Sequence, residues 1–495
     1  MKNNAFVFED AVFSYFLSKD KNVLFEKHLE FPFHHLILSY SKNTDVIVKQ
    51  CNGEAIFIIG FCVDSQGEVS REDIPDFLLE NGDGKIDSIL HLSERLAGKY
   101  VIIYANAKSV YLFGDSICSL PIYYDLNGSC VSCYDTLIAK FSGYEVSKRA
   151  LDVRLNSDFF QPLPYDMTLY DEIKCLLPNH YLDLINKKVF RFAPKSLPKK
   201  TDEREIDEII NHTVHLIENI VDEYLKYYEV VCPLSGGWDS RFVLAFLKKR
   251  ASEISTFTFK HKDMTEETAD LYIPELISHL LGIKHFLLDD IAAPGEYVRG
   301  VESIMGEYIS PKLLNMAYTY NSTFKGKAVI YGDIIGQVGK SSMGGALSTF
   351  FASTSFFVAK QHNYSRYARE ETRRFIEEVK ASGLYDYIYD LFAIENRCGR
   401  WVAQREQAFS VCSITSLNIV NCRKIIEMWM QIPRSLRNKR VIHRYVFSKL
   451  APELLSIPIN PDSKSSWVYQ NSVAFLLATY FKYYTNMVKH KLGKM

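Results

Sequence analysis

The chain carries almost no net charge: 58 Lys and Arg against 59 Asp and Glu leave −1 over 495 residues. Such a balance excludes the bulk attraction by which strongly basic proteins hold nucleic acid or an anionic membrane. Long apolar runs are also missing. The most apolar late stretch, VAFLLATYF from Val473, falls far short of the roughly 20 residues that span a bilayer, so no membrane span is expected. The opening MKNNAFVFED has acidic residues at positions 9 and 10 and no apolar core, unlike a signal peptide; a soluble, cytoplasmic protein is the expectation. There is no internal repeat and no low-complexity tract. Nor is there a disulfide framework: ten cysteines are scattered along the chain, and reduced thiols are expected. Cys130 and Cys133, in CVSC, have the spacing of a redox or zinc knuckle. No second Cys or His pair stands near them, so they read as two thiols beside a strand.

What is present is an ordinary globular composition, 47% hydrophobic and 24% charged, in a chain long enough for two to four domains. The first third is β-rich. AIFIIGFCVD, KYVIIYA, SVYLFGD and PIYYDL are short β-branched and aromatic runs separated by turn signals such as NGDG and LNG, which suits layered antiparallel sheets. Pro194 and Pro198, in RFAPKSLPKK, mark a linker, placing one domain at 1–195 and another at 201–495. Beyond it the texture changes. EIDEIINHTVHLIENIVDEYLKYY has helical spacing, and EVVCPL, ISTFTF, KHFLLD and KAVIYGD alternate as strands with helical sequence. That alternation predicts an α/β fold with a parallel sheet. From about Thr349 the sequence reads as mostly helical, down to a basic tail.

The stretch LSGGWDS follows the first strand of this unit, where open α/β sheets bind ligands. Gly236 and Gly237 let the backbone turn and approach a ligand without a Cβ. The N–H groups opening the next helix favour an anion, and Ser235 and Ser240 add hydroxyls. Asp239 repels phosphate unless a cation lies between, which implies Mg²⁺. A neighbouring string, GQVGKSS from Gly336 to Ser342, imitates the end of a Walker loop. It lacks the required earlier glycine, since position 334 is Ile, and reads as a turn.

LSGGWDS resembles the pyrophosphate loop of the ATP pyrophosphatases, in particular the synthetase domain of asparagine synthetases. The resemblance extends through ISTFTFKHKDMTEETADLYIPELISHLLGIKHFLLD and IPRSLRNKRVIHRYVFSKLAPELLSIPINPDSKSS, covering most of 201–470. It implies cleavage of ATP between the α and β phosphates, adenylation of a carboxylate, and attack by an amine or ammonia, with ATP and Mg²⁺ as cofactors. Carried over by position, Ser235, Gly236, Gly237, Asp239 and Ser240 form the loop, and Leu234 and Phe259 hold adenine. YGDIIGQ supplies Asp333 as second metal ligand beside Asp239, with Tyr331 and Gly332 at the nucleotide; Tyr331 is also adjacent to the place of a Tyr–Glu base in β-lactam-forming relatives. Lys464 stands near the lysine that neutralises the α,β-phosphates.

The first third resembles the family's glutamine amidotransferase half, implying an Ntn-hydrolase-like αββα domain. LAGKYVIIYANAKSVYLFGDSICSLPIYYDLNGSCVSCYDTLIA and TLYDEIKCLLPNHYLDL carry the likeness, with Cys118 where the family's turn has Gly. Working members have Cys after the initiator Met. Here Lys2, Asn3 and Asn4 follow Met1, so glutamine hydrolysis has no nucleophile and the domain reads as a degenerate scaffold. The family's Glu-x-Arg and Pro-Phe-Leu-Asp also have no counterpart in SITSLNIVNCRKIIEMWMQIP, which turns the expectation away from aspartate and toward another carboxylate, small-molecule, peptide or sugar acid. The rival readings are an ammonia-dependent asparagine synthetase, a tRNA-thiolating enzyme, which the neutral charge and scattered cysteines disfavour, and a non-catalytic nucleotide-binding protein.

Overall fold

The structure, a computed structural model, describes residues 11–19, 24–157, 162–195, 197–306, 309–343, 347–461, 468 and 471–492. The segment expected to lack the N-terminal nucleophile, and Lys464, lie outside the described residues.

The β-rich third forms two six-stranded sheets whose ladders are all antiparallel. Its longest strands, Glu54–Asp64 and Leu96–Asn106, pair over their whole length. Successive side chains leave opposite faces of a strand, and here both faces are apolar. Phe57, Ile59 and Phe61 enter the core shared with Leu17 and Leu38 of the other sheet, where Phe31 stacks on Phe57 at 4.0 Å. Ile56 and Ile58 instead meet Ile74, Leu78 and Ile89 of the helices Ile74–Asn81 and Ile86–Leu92. The helix Asp135–Ser142 packs on the first sheet, completing αββα layering. Four early strands between Tyr15 and Cys51 were not foreseen from the pattern, because each is only four to six residues long.

Cys130 and Cys133 are buried free thiols, pushed up by burial to about 11 and about 12, as expected of structural cysteines. Cys118 takes φ +49°, a left-handed turn that glycine adopts freely.

The helix Glu203–Tyr227 opens on Asp202, whose carboxylate accepts the N–H groups of Arg204 and Glu205, and buries Ile206, Ile210, Val214 and Ile217 along one stripe. Five parallel strands follow, in spatial order Lys284–Asp289, Ser255–Lys260, Val230–Pro233, Ala328–Tyr331, Ser416–Asn418. In chain order this is 3-2-1-4-5, so the connections reverse direction between Val230–Pro233 and Ala328–Tyr331. A crevice opens at such a switch point, outside the carboxyl ends of the strands. The fifth strand has three residues inside sequence that reads as helical, too short for any periodicity to reveal.

One apolar core runs through both halves. Buried polar contacts stitch the seam. Asn421 donates to Gly98 O (2.6 Å) and to the Asp115 carboxylate (2.9 Å), and Lys99 Nζ donates to Glu406 O (2.8 Å) and Ser410 Oγ (2.9 Å).

Candidate nucleotide site

The loop Ser235–Ser240 leaves Val230–Pro233 at the switch point and runs into the helix Trp238–Leu247. Its conformation is internally fixed. Ser235 N donates to Ser240 Oγ (3.2 Å), the two hydroxyls lie 3.1 Å apart, and Gly237 N donates to Ser235 Oγ (3.2 Å). Gly236 N donates to Asp270 Oδ1 (2.8 Å), from the next helix. The helix itself has no side-chain cap at Gly237, so its first N–H groups and positive end face the crevice. Leu234 is bound through both backbone groups, N to Phe257 O (2.8 Å) and O to Thr258 Oγ1 (2.7 Å), and Phe259 lies half-buried two residues on.

Asp239 does not stand free for a cation. Its Oδ1 accepts from His443 Nε2 at 3.0 Å and pairs with Arg440 at 3.3 Å. Burial would raise its carboxyl, but the His443 hydrogen bond, backed by Arg440 and Lys340, holds it below the usual range. Burial in turn keeps His443 below its usual value, against the pull of Asp239. On the other side Oδ2 lies against Gly336, where a Cβ would come within 2.4 Å of it. The second carboxylate is occupied as well. Asp333 pairs with Arg405 Nη2 at 2.6 Å, and the same guanidinium holds Glu406 at 2.8 Å and lies 4.0 Å over the Tyr331 ring. Mg²⁺ demands near-octahedral oxygen donors and usually takes one or two carboxylates plus phosphates. Here the residue brought against the Asp239 carboxylate is Gly336, and Asp333 is turned to Arg405. Among the described residues no cluster of three or more His, Cys, Asp or Glu could hold a metal. A Mg²⁺ held by these two carboxylates would have to displace His443 and Arg440 from Asp239 and Arg405 from Asp333.

Tyr331 is half-buried between Arg405 and Phe409 (5.9 Å), and burial raises its phenol well above the usual value although Arg405 opposes this. The acids that act on it, Asp333 and Glu406, are both paired with Arg405. Gly332 packs tightly, with a Cβ position 2.7 Å from Asp239 O. The GQVGKSS stretch is not a Walker loop: Ile335–Gly339 forms a π-helical turn packed on a second π-helical segment, Phe392–Val402, beneath the crevice.

Trp238, in the loop's variable position, stacks on Phe447 (5.7 Å, 6° between rings), with the guanidiniums of Arg440 and Arg444 over it at 5.4 and 5.5 Å. It is a plate joining the loop to the helix Val441–Leu450. Arg241 is fully buried and donates to Leu454 O (3.0 Å), Ile457 O (2.9 Å), Gly236 O (3.4 Å) and Pro458 O, while Asn460 N donates to Gly236 O (3.0 Å). The late basic segment is thus tied to the phosphate loop up to Asn460. Sequence reasoning missed Arg405, Arg440, His443 and Gly336. Only Arg440 and His443, three apart in an Arg-rich helical run, carried a signal.

These features define an α/β protein: an αββα sandwich joined to a doubly wound parallel sheet with an anion-type loop at its switch point and a largely helical remainder. No protein-family model matches the chain, and no curated protein matches it. Among solved structures it is similar to a glutamine-dependent NAD⁺ synthetase from Acinetobacter baumannii in complex with ADP, at 13% identity and a TM-score of 0.20, over 49% of this chain and 62% of that one. It is also similar to the glutamine phosphoribosylpyrophosphate amidotransferase from B. subtilis complexed with ADP and GMP, at 11% identity and a TM-score of 0.22, over 60% of each chain. The chain spans about three fifths of each, and likenesses this distant carry no argument about activity. No helix among the described residues is long and apolar enough to cross a membrane.

Proposed function

We propose that the protein is an ATP-dependent amide-bond synthetase, forming AMP and pyrophosphate, that activates a carboxylate other than aspartate and passes it to an amine or ammonia. The supporting observation is the seat of the Ser235–Ser240 loop: an uncapped helix start at the switch point of a parallel sheet, anchored through Arg241 and Asn460 to the late basic segment. On this reading the loop holds the outer phosphates, while Leu234, Phe259, Gly332 and Tyr331 border the nucleoside. A substrate carboxylate oxygen attacks the α-phosphorus, the α–β bridge breaks, and pyrophosphate leaves. The amine nitrogen then attacks the acyl carbon, AMP departs, and the nitrogen loses its proton. Arg440 and Lys340 meet phosphate charge from the protein side. Lys464 would join them. Three residues lie between it and the anchored Asn460, and the four steps reach at most about 14 Å. Residues 1–195 are read as a scaffold without glutaminase activity, and 201–495 as the synthetase unit.

Exchange of radiolabelled pyrophosphate into ATP, run across a panel of carboxylic acids, tests this. Acid-dependent exchange is expected with a non-aspartate acid, and Asp239→Asn, which strips His443 and Arg440 of their partner, is expected to lower it about 100-fold or more. Exchange with aspartate alone would return the protein to ammonia-dependent asparagine synthesis. The pairing of both candidate carboxylates with protein cations favours one second reading, a nucleotide-binding protein without catalysis; ATP binding with no exchange for any acid would select it.

A further inference from the structure

The helix Ser472–Leu492 is anchored to the protein by one face. On that face Phe475 is buried 6.4 Å from Phe356 of the helix Thr354–Gln361, and Tyr483 is buried 5.2 Å from Tyr364. The Tyr483 hydroxyl donates to Asn363 O (3.3 Å), and near the far end His490 Nε2 donates to Leu155 O (2.9 Å). The opposite face is apolar and bare. Val473, Leu477, Phe481, Tyr484, Val488 and Leu492 are each at least half exposed, Phe481 at 73%. At 3.6 residues per turn these six fall within an arc of about 100°, in a stripe about 28 Å long, and Phe475, Tyr483 and His490 lie on the other side of the helix. The apolar surface continues past the helix. Tyr480, at the edge of the stripe, has its hydroxyl 3.5 Å from Ser353 Oγ. Three residues before Ser353 stands Phe350, the most exposed large apolar side chain among the described residues at 85%, edge-on to Phe351 (5.2 Å). Single exposed apolar residues are ordinary, but a contiguous row of this length is a surface that a partner covers.

The charge selects the partner. The helix carries Lys482, Lys489 and Lys491, and no acid in its 21 residues. By helical spacing Lys482 and Lys489 flank the stripe on one side, and Lys491 lies at its other edge in the last turn. Two copies laid stripe to stripe would set lysine beside lysine with no acid to pair. An anionic lipid surface suits both features, because the apolar arc enters the acyl boundary while the lysine stems carry their ammonium groups to the headgroups. The near-neutral charge of the whole chain does not oppose this, since salt confines the attraction to charges within about 8 Å of the surface. The helix lies on such a bilayer and does not cross it: its inner face is occupied by protein, and it is not apolar enough to span.

We propose that the outer face of Ser472–Leu492, with Phe350 beside it, docks the protein on an anionic lipid bilayer, the helix lying in the plane of the interface. The proposal is independent of the synthetase reading and of the nucleotide loop.

Flotation of the full chain with vesicles of phosphatidylcholine alone, and of phosphatidylcholine with about 30% phosphatidylserine, tests it. The wild type is expected to float with the anionic vesicles and far less with the neutral ones. Leu477→Glu/Phe481→Glu should weaken partitioning about 100-fold, through lost apolar burial. Lys482→Glu/Lys489→Glu should weaken it at least about tenfold, through lost attraction to the headgroups. All four side chains are exposed, so both variants should keep the wild-type melting temperature and ATP affinity. No flotation of the wild type, equal flotation with neutral and anionic vesicles, or flotation unchanged in Leu477→Glu/Phe481→Glu overturns the proposal. A wild-type dimer by light scattering that does not float, and that Leu477→Glu/Phe481→Glu turns into a monomer, also overturns it and assigns the stripe to a second copy.

Discussion

Two glycines flank Asp239, and they differ in what they protect. A Cβ on Gly332 would lie 2.7 Å from the Asp239 carbonyl oxygen, a backbone atom that cannot yield without moving the helix start. A Cβ on Gly336 would lie 2.4 Å from Oδ2, the far end of a side chain that can swing away. Gly332→Ala should therefore destabilise the fold by about 1–3 kcal/mol, as overpacking does. Gly336→Ala should change stability little but push the carboxylate off His443, and ATP affinity should shift severalfold. Urea unfolding and ATP titration of both variants separate the two effects. Equal stability losses would mean that the Asp239 side chain is as rigid as the backbone. At this scale Trp238 also finds its reason: a flat ring is needed between Phe447 and two guanidiniums, where a smaller apolar residue would leave both cations without a face to lie on.

Among elements, the decisive connection is the one from the phosphate-loop helix to the segment Leu454–Asn460. Arg241 makes it with a guanidinium fork that donates to carbonyls alone, a geometry that a lysine ammonium does not reproduce. Arg241→Lys is expected to cost about 2–4 kcal/mol in denaturant unfolding, since buried carbonyls lose their donors. It should also speed hydrogen exchange at the Asn460 amide, now bonded to Gly236 O. Unchanged protection at Asn460 would show that the segment is held by other means. The same scale shows what was legible in advance. Strands such as Ser255–Lys260, and the helix Glu203–Tyr227, announce themselves because period and length agree with one structure. Ser416–Asn418 does not, because its strand character comes only from pairing with Ala328–Tyr331. The loop Ser235–Ser240 was legible as an anion-type turn. The state of Asp239 and Asp333 was not, since Arg405 and His443 reach them from helices, and Arg440 from the turn before the helix Val441–Leu450, up to about two hundred positions away.

For the whole molecule the two halves share one core and a buried polar seam, so acid should act on both together. Each half contains a histidine held neutral. His180, on the sandwich side, is pushed down to about 4 by burial and then by Arg191, against the pull of Glu395. His285, in the parallel sheet, is pushed down to about 4 by burial alone, with Nδ1 against Thr256 Oγ1 at 2.9 Å. In the unfolded chain both titrate near the ordinary 6.5, so between about 6.5 and 4 the unfolded state binds more protons than the folded one. Their contribution is therefore intact above 6.5 and is lost as pH falls toward 4, by roughly 1–3 kcal/mol for each histidine. Urea unfolding at pH 7.5 and 4.5 should show the wild type losing more stability across that interval than His285→Gln or His180→Gln, and the double variant should lose least. If the three variants fall with pH as steeply as the wild type, the histidines are not protonated on unfolding, and the acid sensitivity of the protein resides in its carboxylate pairs.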